Sequence, residues 1–184
     1  MLRQVKKEAT EFHVIDILLQ VLQTEQKLLL SESKIGYAKK VRDLGKEKEL
    51  LSAQFHILHE CEDINNETNY LVQSEDFRNS KTQAKLAAQL ENKLFHTDRT
   101  SLPPRIQLAL HDTECRIHWA TQNNAKLSEA FKAYRLFMEE NDWIDFKQRL
   151  SFLGNYITFC ARTKSYDEGV AVIRQFQETE PPNK

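Results

Sequence analysis

Apolar and polar positions recur with the period of an α-helix along most of the chain, and across residues 123–181 one such pattern is written twice. Leu127, Ala130, Tyr134 and Phe137 stand 39 positions ahead of Tyr166, Gly169, Ile173 and Phe176. Each copy sets a large apolar residue, a small one three later, and bulky ones four and seven beyond the small one. That is one helix face whose small position lets a neighbour approach closely. A helical segment precedes each copy, ending near Gln122 and near Lys164, so the repeated unit is a helix hairpin.

The same reading extends toward the N-terminus. Residues 2–30 read as continuous helix with Val5, Phe12, Ile15, Leu19, Leu22, Gln26 and Leu29 close to one stripe, broken either near Thr24 or at Ser31-Glu32-Ser33. Gly45, following Lys39, Lys40 and Arg42, reads as a helix stop. In residues 46–61, Leu50, Ala53, Ile57 and Cys61 form one stripe and Leu51, Phe55 and Leu58 a second, as expected of a helix with two neighbours. The polar run at residues 63–66 reads as a turn capped by Asn65 or Asn66.

Residues 67–95 read as one long outer helix bent near Asn79-Ser80, with Tyr70, Phe77, Ala84, Ala87 or Ala88, and Leu94 nearest to a stripe. A polar linker over residues 96–102 leads to Ser101 and Pro103-Pro104, where proline suits a first helical turn. Ile106, Ala109, Leu110, Thr113, Ile117 and Ala120 make the next stripe, with Leu108 and Trp119 on another side. Asn141-Asp142 offers a cap for a helix over residues 143–163, Ser165 with Glu168 fits a capping box, and Pro181-Pro182 stops the last helix. The expected architecture is all-α, with hairpins at about residues 4–44, 46–95, 104–140 and 143–180 forming one helical-repeat domain, either whole or part of a longer array.

Composition narrows the function classes. Helix formers dominate, Gly and Pro number four each, and 26 Lys and Arg mix with 27 Asp and Glu for a net charge of -1. A chain without a concentrated basic face is not expected to bind nucleic acid or an anionic membrane by bulk electrostatics. Cys61, Cys115 and Cys160 are odd in number and widely spaced, which points to a reducing, cytosolic setting rather than a disulfide framework. The apolar run over residues 14–22 is interrupted by Asp16 and Gln20, and is neither signal peptide nor membrane span.

The second copy, over residues 153–181, resembles a tetratricopeptide repeat through Tyr166, Gly169, Ile173, Phe176 and the closing Pro181. The first copy matches through Leu127, Ala130, Tyr134 and Phe137, with Asn141 where the family has proline. The 39-residue unit exceeds the family's usual length of about 34, so the chain is similar to a tetratricopeptide-like protein rather than a strict member. With Asn155-Tyr156, Cys160 and Tyr166-Asp167-Glu168, the layout also looks like helical-repeat proteins common in Bacteroidetes. The resemblance implies hairpins stacked as a right-handed α-solenoid that docks another protein or peptide, with no cofactor. The RNA-reading pentatricopeptide family fits less well, given the neutral charge and the lack of equal-length units.

Candidate chemistry is sparse. His111, Cys115 and His118, at i, i+4 and i+7, set a thiol between two imidazoles, a weak zinc-type set lacking a fourth ligand. The alternative is that Cys115 packs as a small hydrophobe while the histidines sit at the rim. His56, His59 and Glu60 superficially resemble a metalloprotease motif but have the wrong spacing and order. Phe131, Tyr134, Phe137, Trp143, Phe146, Phe152, Tyr156 and Phe159 are expected mostly in the core. Any left exposed would anchor a partner beside Arg135, Trp143, Lys147 or Arg149. The expected function is therefore a non-enzymatic, cytosolic protein-binding scaffold. The alternatives are a regulator that closes on a small peptide and, less favoured, a metal-dependent enzyme; a homodimer through terminal helices is a further expectation.

Overall fold

The structure, a computed structural model, describes residues 1–31, 37–73 and 78–179, and all regular secondary structure among them is helical. The chain divides into two compact units, Met1–Gln122 and Asn123–Lys184. That boundary falls inside the stretch that the sequence pairs as one hairpin over residues 104–140.

The first unit begins with α1 (Leu2–Glu11) and α2 (Ile15–Ser31), which correct the expected continuous helix over residues 2–30. His13 adopts a left-handed conformation at φ 53°, and the Val14 amide donates to the Ala9 carbonyl at 2.8 Å. This six-to-one closure ends a helix without glycine, so residue type gave no warning of it. Later in the chain, Arg105 Nε donates to the Phe12 carbonyl at 3.2 Å and fixes the corner.

The element α3 (Tyr37–Gln73) is 37 residues long and overturns two expected breaks, the stop at Gly45 and the turn at residues 63–66. The hairpin limits at 44 and 46 fall with the first of them. Glycine inside a helix costs only about 1 kcal/mol relative to alanine, and packing outweighs it. Helix α2 packs along α3, Cys61 and Leu71 sit in clusters with residues of α6, and Lys6 Nζ links Glu25 at 3.6 Å to Glu47 at 3.1 Å. Glu62, Asp63, Asn66 and Glu67 are exposed while Cys61, Thr68 and Leu71 are buried, so the polar run is the outer face of a continuing helix. Leu50 and Ala53, read as part of an inner stripe, are exposed.

The predicted single outer helix over residues 67–95 is also replaced. The chain instead forms α4 (Ser80–Gln89), capped by Asn79, and the short α5 (Lys93–His96), capped by Asn92. The break near Asn79-Ser80 lies where the sequence put a bend. Leu86 is the buried residue of α4, whereas Ala84, Ala87, Ala88 and, on α3, Tyr70 are exposed; Phe77 lies outside the described residues. A 3-10 turn (Arg99–Ser101) precedes α6 (Pro104–Ala120), which starts on proline as expected, although Ser101 does not cap it. The stripe Ile106, Leu110, Thr113, Ile117 and Ala120 is buried, with Ala109 partly so.

The second unit contains α7 (Asn124–Glu139), α8 (Phe146–Thr163) and α9 (Tyr166–Thr179). Asn123 caps α7, accepting from the Lys126 amide at 3.3 Å. Helix α8 starts three residues later than expected, because Asp145 rather than Asn141-Asp142 caps it, accepting from the Gln148 amide at 2.8 Å. Trp143 is thereby left in the connecting loop, its indole N–H donating to Asn141 Oδ1 at 2.9 Å.

The capping box at Ser165 and Glu168 does not form. Lys164 is left-handed, the Ser165 amide donates to the Cys160 carbonyl at 2.8 Å, and the Glu168 carboxylate accepts from the Tyr156 hydroxyl at 2.5 Å. Gly169, the small position of the second copy, is buried. A Cβ on Gly169 would stand 3.2 Å from Cys160 Cβ, a tight contact that α8 and α9 could admit only by giving a little. Leu127, Ala130, Tyr134 and Phe137 are all buried, but Tyr166 is exposed and Ile173 and Phe176 are partly so. Pro181 and Pro182 lie outside the described residues.

Candidate protein-binding groove

The metal-type triad resolves into a polar network. His111 Nδ1 lies 2.8 Å from Arg99 Nη1, Arg99 Nη2 donates to Glu114 Oε2 at 2.5 Å, and His118 Nε2 is 3.9 Å from Glu114 Oε1. Arg99 has no lone pair to offer, so His111 accepts through Nδ1 and carries its proton on Nε2. Burial, reinforced by the Arg99 charge, lowers the His111 pKa to about 4. Burial alone would raise the Glu114 carboxyl, but His118 and Arg99 outweigh it and hold it at about 2. Cys115 is buried, and its thiol is pushed well above the ordinary range, mainly by that burial. The network pins the 3-10 turn to α6, and the histidines are buried rather than at the rim. Among the described residues, no group of three or more His, Cys, Asp or Glu is placed to hold a metal.

His56, His59 and Glu60 do not converge either. His56 is exposed, His59 Nδ1 pairs with Glu62 at 3.2 Å, and Glu60 accepts from Asn92 Nδ2 at 3.1 Å.

A groove of about 620 Å³ opens in the second unit among α7, the loop after it, α8 and α9. Its walls are apolar, formed by Met138, Ile144, Phe152, Leu153, Val172 and Phe176, and Phe146 stands in it half exposed, its ring 5.7 Å from that of Phe176. The cavity keeps its shape because the aromatic layer behind it is closely packed. Phe131 meets Phe152, Tyr156 and Phe159 at 5.9, 5.3 and 5.3 Å, and Tyr134 meets Phe152 at 5.0 Å. Edge-to-face pairs at such distances add about 0.5–1.5 kcal/mol beyond area burial.

Two cations line the groove, each held by the fold. Arg135 donates from Nε to Glu139 at 2.8 Å and from Nη2 to Gln175 Oε1, while Gln175 Nε2 donates to the same Glu139 oxygen at 2.9 Å. Arg149 donates from Nε to the Ile144 carbonyl at 3.1 Å and from Nη2 to the Asn141 carbonyl at 2.7 Å, so its charge stiffens the loop that forms the rim. Glu139 and Asp142 also line the groove, leaving two acidic and two basic groups around an apolar floor.

Of the four residues predicted to hold a partner, Arg135 and Arg149 line the groove; Trp143 and Lys147 are not among its lining residues. Phe146 is the exposed aromatic beside them. Ile144 and Val172 were not anticipated as lining, since their place depends on how the loop and α9 pack.

No known family, curated protein or solved structure matches the chain. Fold and groove together define an all-helical protein whose C-terminal unit carries an apolar cavity rimmed by fixed charges. No helix among the described residues is long and apolar enough to cross a membrane.

Proposed function

We propose that the chain is a non-enzymatic protein-binding module of tetratricopeptide-like helical-repeat type, whose C-terminal groove receives apolar side chains of a partner segment. The observation that carries this reading is Phe146, half exposed in a preformed apolar groove of about 620 Å³ between two arginines already held in place. A rigid aromatic anchor beside ordered charges is the composition found at binding hot spots. The repeat reading draws support from the seat of Gly169 on Cys160 and from the buried Leu127, Ala130, Tyr134 and Phe137. Three buried, unpaired thiols accord with a reducing cytosolic setting.

The test is to pan a displayed library of random helical and extended peptides on the full chain and locate bound peptides by amide chemical-shift changes. The reading requires peptides that perturb Ile144, Leu153 and Val172 and lose at least about tenfold in affinity, or 1.4 kcal/mol, against Phe146→Ser. Peptides that all map elsewhere, or that bind Phe146→Ser unchanged, would overturn it.

A further inference from the structure

Helices α7 and α9 carry matching residues 39 positions apart; α8 covers this face on α7, but on α9 it seats only the Gly169 side and leaves the neighbouring stripe open. On α7, Leu127, Phe131 and Tyr134 are 0, 3 and 6% exposed, and the α8 rings of Phe152, Tyr156 and Phe159 pack on Phe131 and Tyr134. The equivalents on α9 are Tyr166, Val170 and Ile173. Tyr166 is 62% and Val170 46% exposed, and Ile173 is only partly buried. The spacing i, i+4, i+7 makes these three a narrow stripe of the kind that pairs two helices. An α8 from another molecule cannot supply the cover, since its aromatic stripe is already buried against its own α7.

The charges beside the stripe indicate what does. Asp167 and Arg174 are both exposed, and at seven residues apart they share one flank of the stripe. In an antiparallel pair of identical helices, a flank faces its own copy in reverse order, so Asp167 of each meets Arg174 of the other. Glu168 lies away from this flank, accepting from the Tyr156 hydroxyl at 2.5 Å.

We propose that α9 is a self-association surface, pairing antiparallel with α9 of a second copy about a two-fold axis near Val170, with Tyr166, Val170 and Ile173 in the seam and two Asp167–Arg174 ion pairs beside it. The site is separate from the groove reading, and neither depends on the other.

Sedimentation equilibrium of the full chain over a wide concentration range tests it. A dimer is expected whose dissociation constant rises at least about tenfold in Val170→Glu, with the circular dichroism of the wild type retained because the position is exposed. Asp167→Arg and Arg174→Asp should each weaken the dimer, and the double exchange should restore it. The two single variants mixed should form a heterodimer, because every cross-pair is then of opposite sign. A wild-type chain that stays monomeric at high concentration, a dimer indifferent to Val170→Glu, or single variants that fail to complement would each overturn the proposal.

Discussion

The two units keep different interiors. Among the described residues, every buried aromatic side chain belongs to the second unit, whereas the buried polar side chains, Thr68, His111, Thr113 and His118, all belong to the first. The first unit packs Leu, Ile and Val of α2, α3, α4 and α6 and ties its helices together with directed polar links. Arg116 reaches Asn69 at 2.6 Å, Gln83 reaches the Ala120 carbonyl at 3.0 Å, and Arg99 bridges His111 and Glu114. The second unit has half the length and relies on ring against ring. The same helical periodicity is thus stabilised in one place by geometry-dependent polar contacts and in the other by dense apolar mass, and the two should fail differently.

One tryptophan in each unit makes the difference measurable. In a Trp143→Phe background, Trp119 reports on the first unit, and in a Trp119→Phe background Trp143 reports on the second. The largest effect is expected at Phe131, whose ring touches three α8 aromatics. Phe131→Ala should cost the second unit about 3–5 kcal/mol by lost burial and cavity formation, read as a lower urea midpoint of Trp143 fluorescence. Val170→Ala, its equivalent in the second copy, should cost under about 0.5 kcal/mol when the chain is dilute enough to be monomeric, as an exposed surface change does. Similar losses at both positions would mean that the two copies are equally covered.

Acid should separate the units next. His111 is lowered from 6.5 to about 4 when folded, so between those values the unfolded chain binds more protons, and stability falls as pH drops through that range. Glu114, lowered from 4.5 to about 2, extends the fall to more acidic pH with the same sign. Together they should remove up to about 5 kcal/mol from the Trp119-reported unit between pH 7 and 3. His111→Gln, which keeps an acceptor for Arg99 but does not titrate, should flatten the part above pH 4. An unaltered slope in that variant would show that the Arg99 network does not govern the acid response.

A smaller effect is expected at the junction of α8 and α9. Tyr156→Phe removes the hydroxyl that reaches Glu168 and leaves the ring packing intact, so the second unit should lose about 1 kcal/mol. Burial, together with the Glu168 hydrogen bond, raises the Tyr156 pKa well above its ordinary value. The wild type should therefore lose stability above pH 10, as the unfolded tyrosine ionises first, and the variant should lose less. Equal alkaline profiles for the two proteins would exclude this contact as the cause.

How far the sequence could be read differs between the units for the same physical reason. From Pro104 onward, proline, Asn123 and the repeated small residue mark positions where backbone chemistry leaves few choices, and the helix limits of α6 to α9 fall close to where the pattern put them. Toward the N-terminus, the decisive features carry no such mark. His13 turns the chain in a conformation that its residue type does not announce, and Gly45 and the acidic run after Cys61 resemble breaks but are overruled by α2 and α6 packing along α3. The groove was half legible. Arg135 and Arg149 are candidates in the sequence because they lie near the aromatic cluster, whereas which aromatic stays exposed, and the places of Ile144 and Val172, depend on tertiary packing, and Trp143 falls in the loop because the cap of α8 is Asp145.

Gly45 gives the smallest and sharpest test of that difference. It lies inside α3, and nothing stands within 4 Å of where its Cβ would be, so alanine meets no obstacle. If packing merely overcomes the glycine, Gly45→Ala should raise the stability of the first unit by about 0.5–1 kcal/mol, through better helix propensity and a less flexible unfolded chain. The Trp119 urea midpoint should rise while that of Trp143 stays put. A fall in the Trp119 midpoint would instead mean that the chain needs the freedom of glycine at this point, and that α3 acts as two arms hinged at Gly45 rather than as one continuous helix.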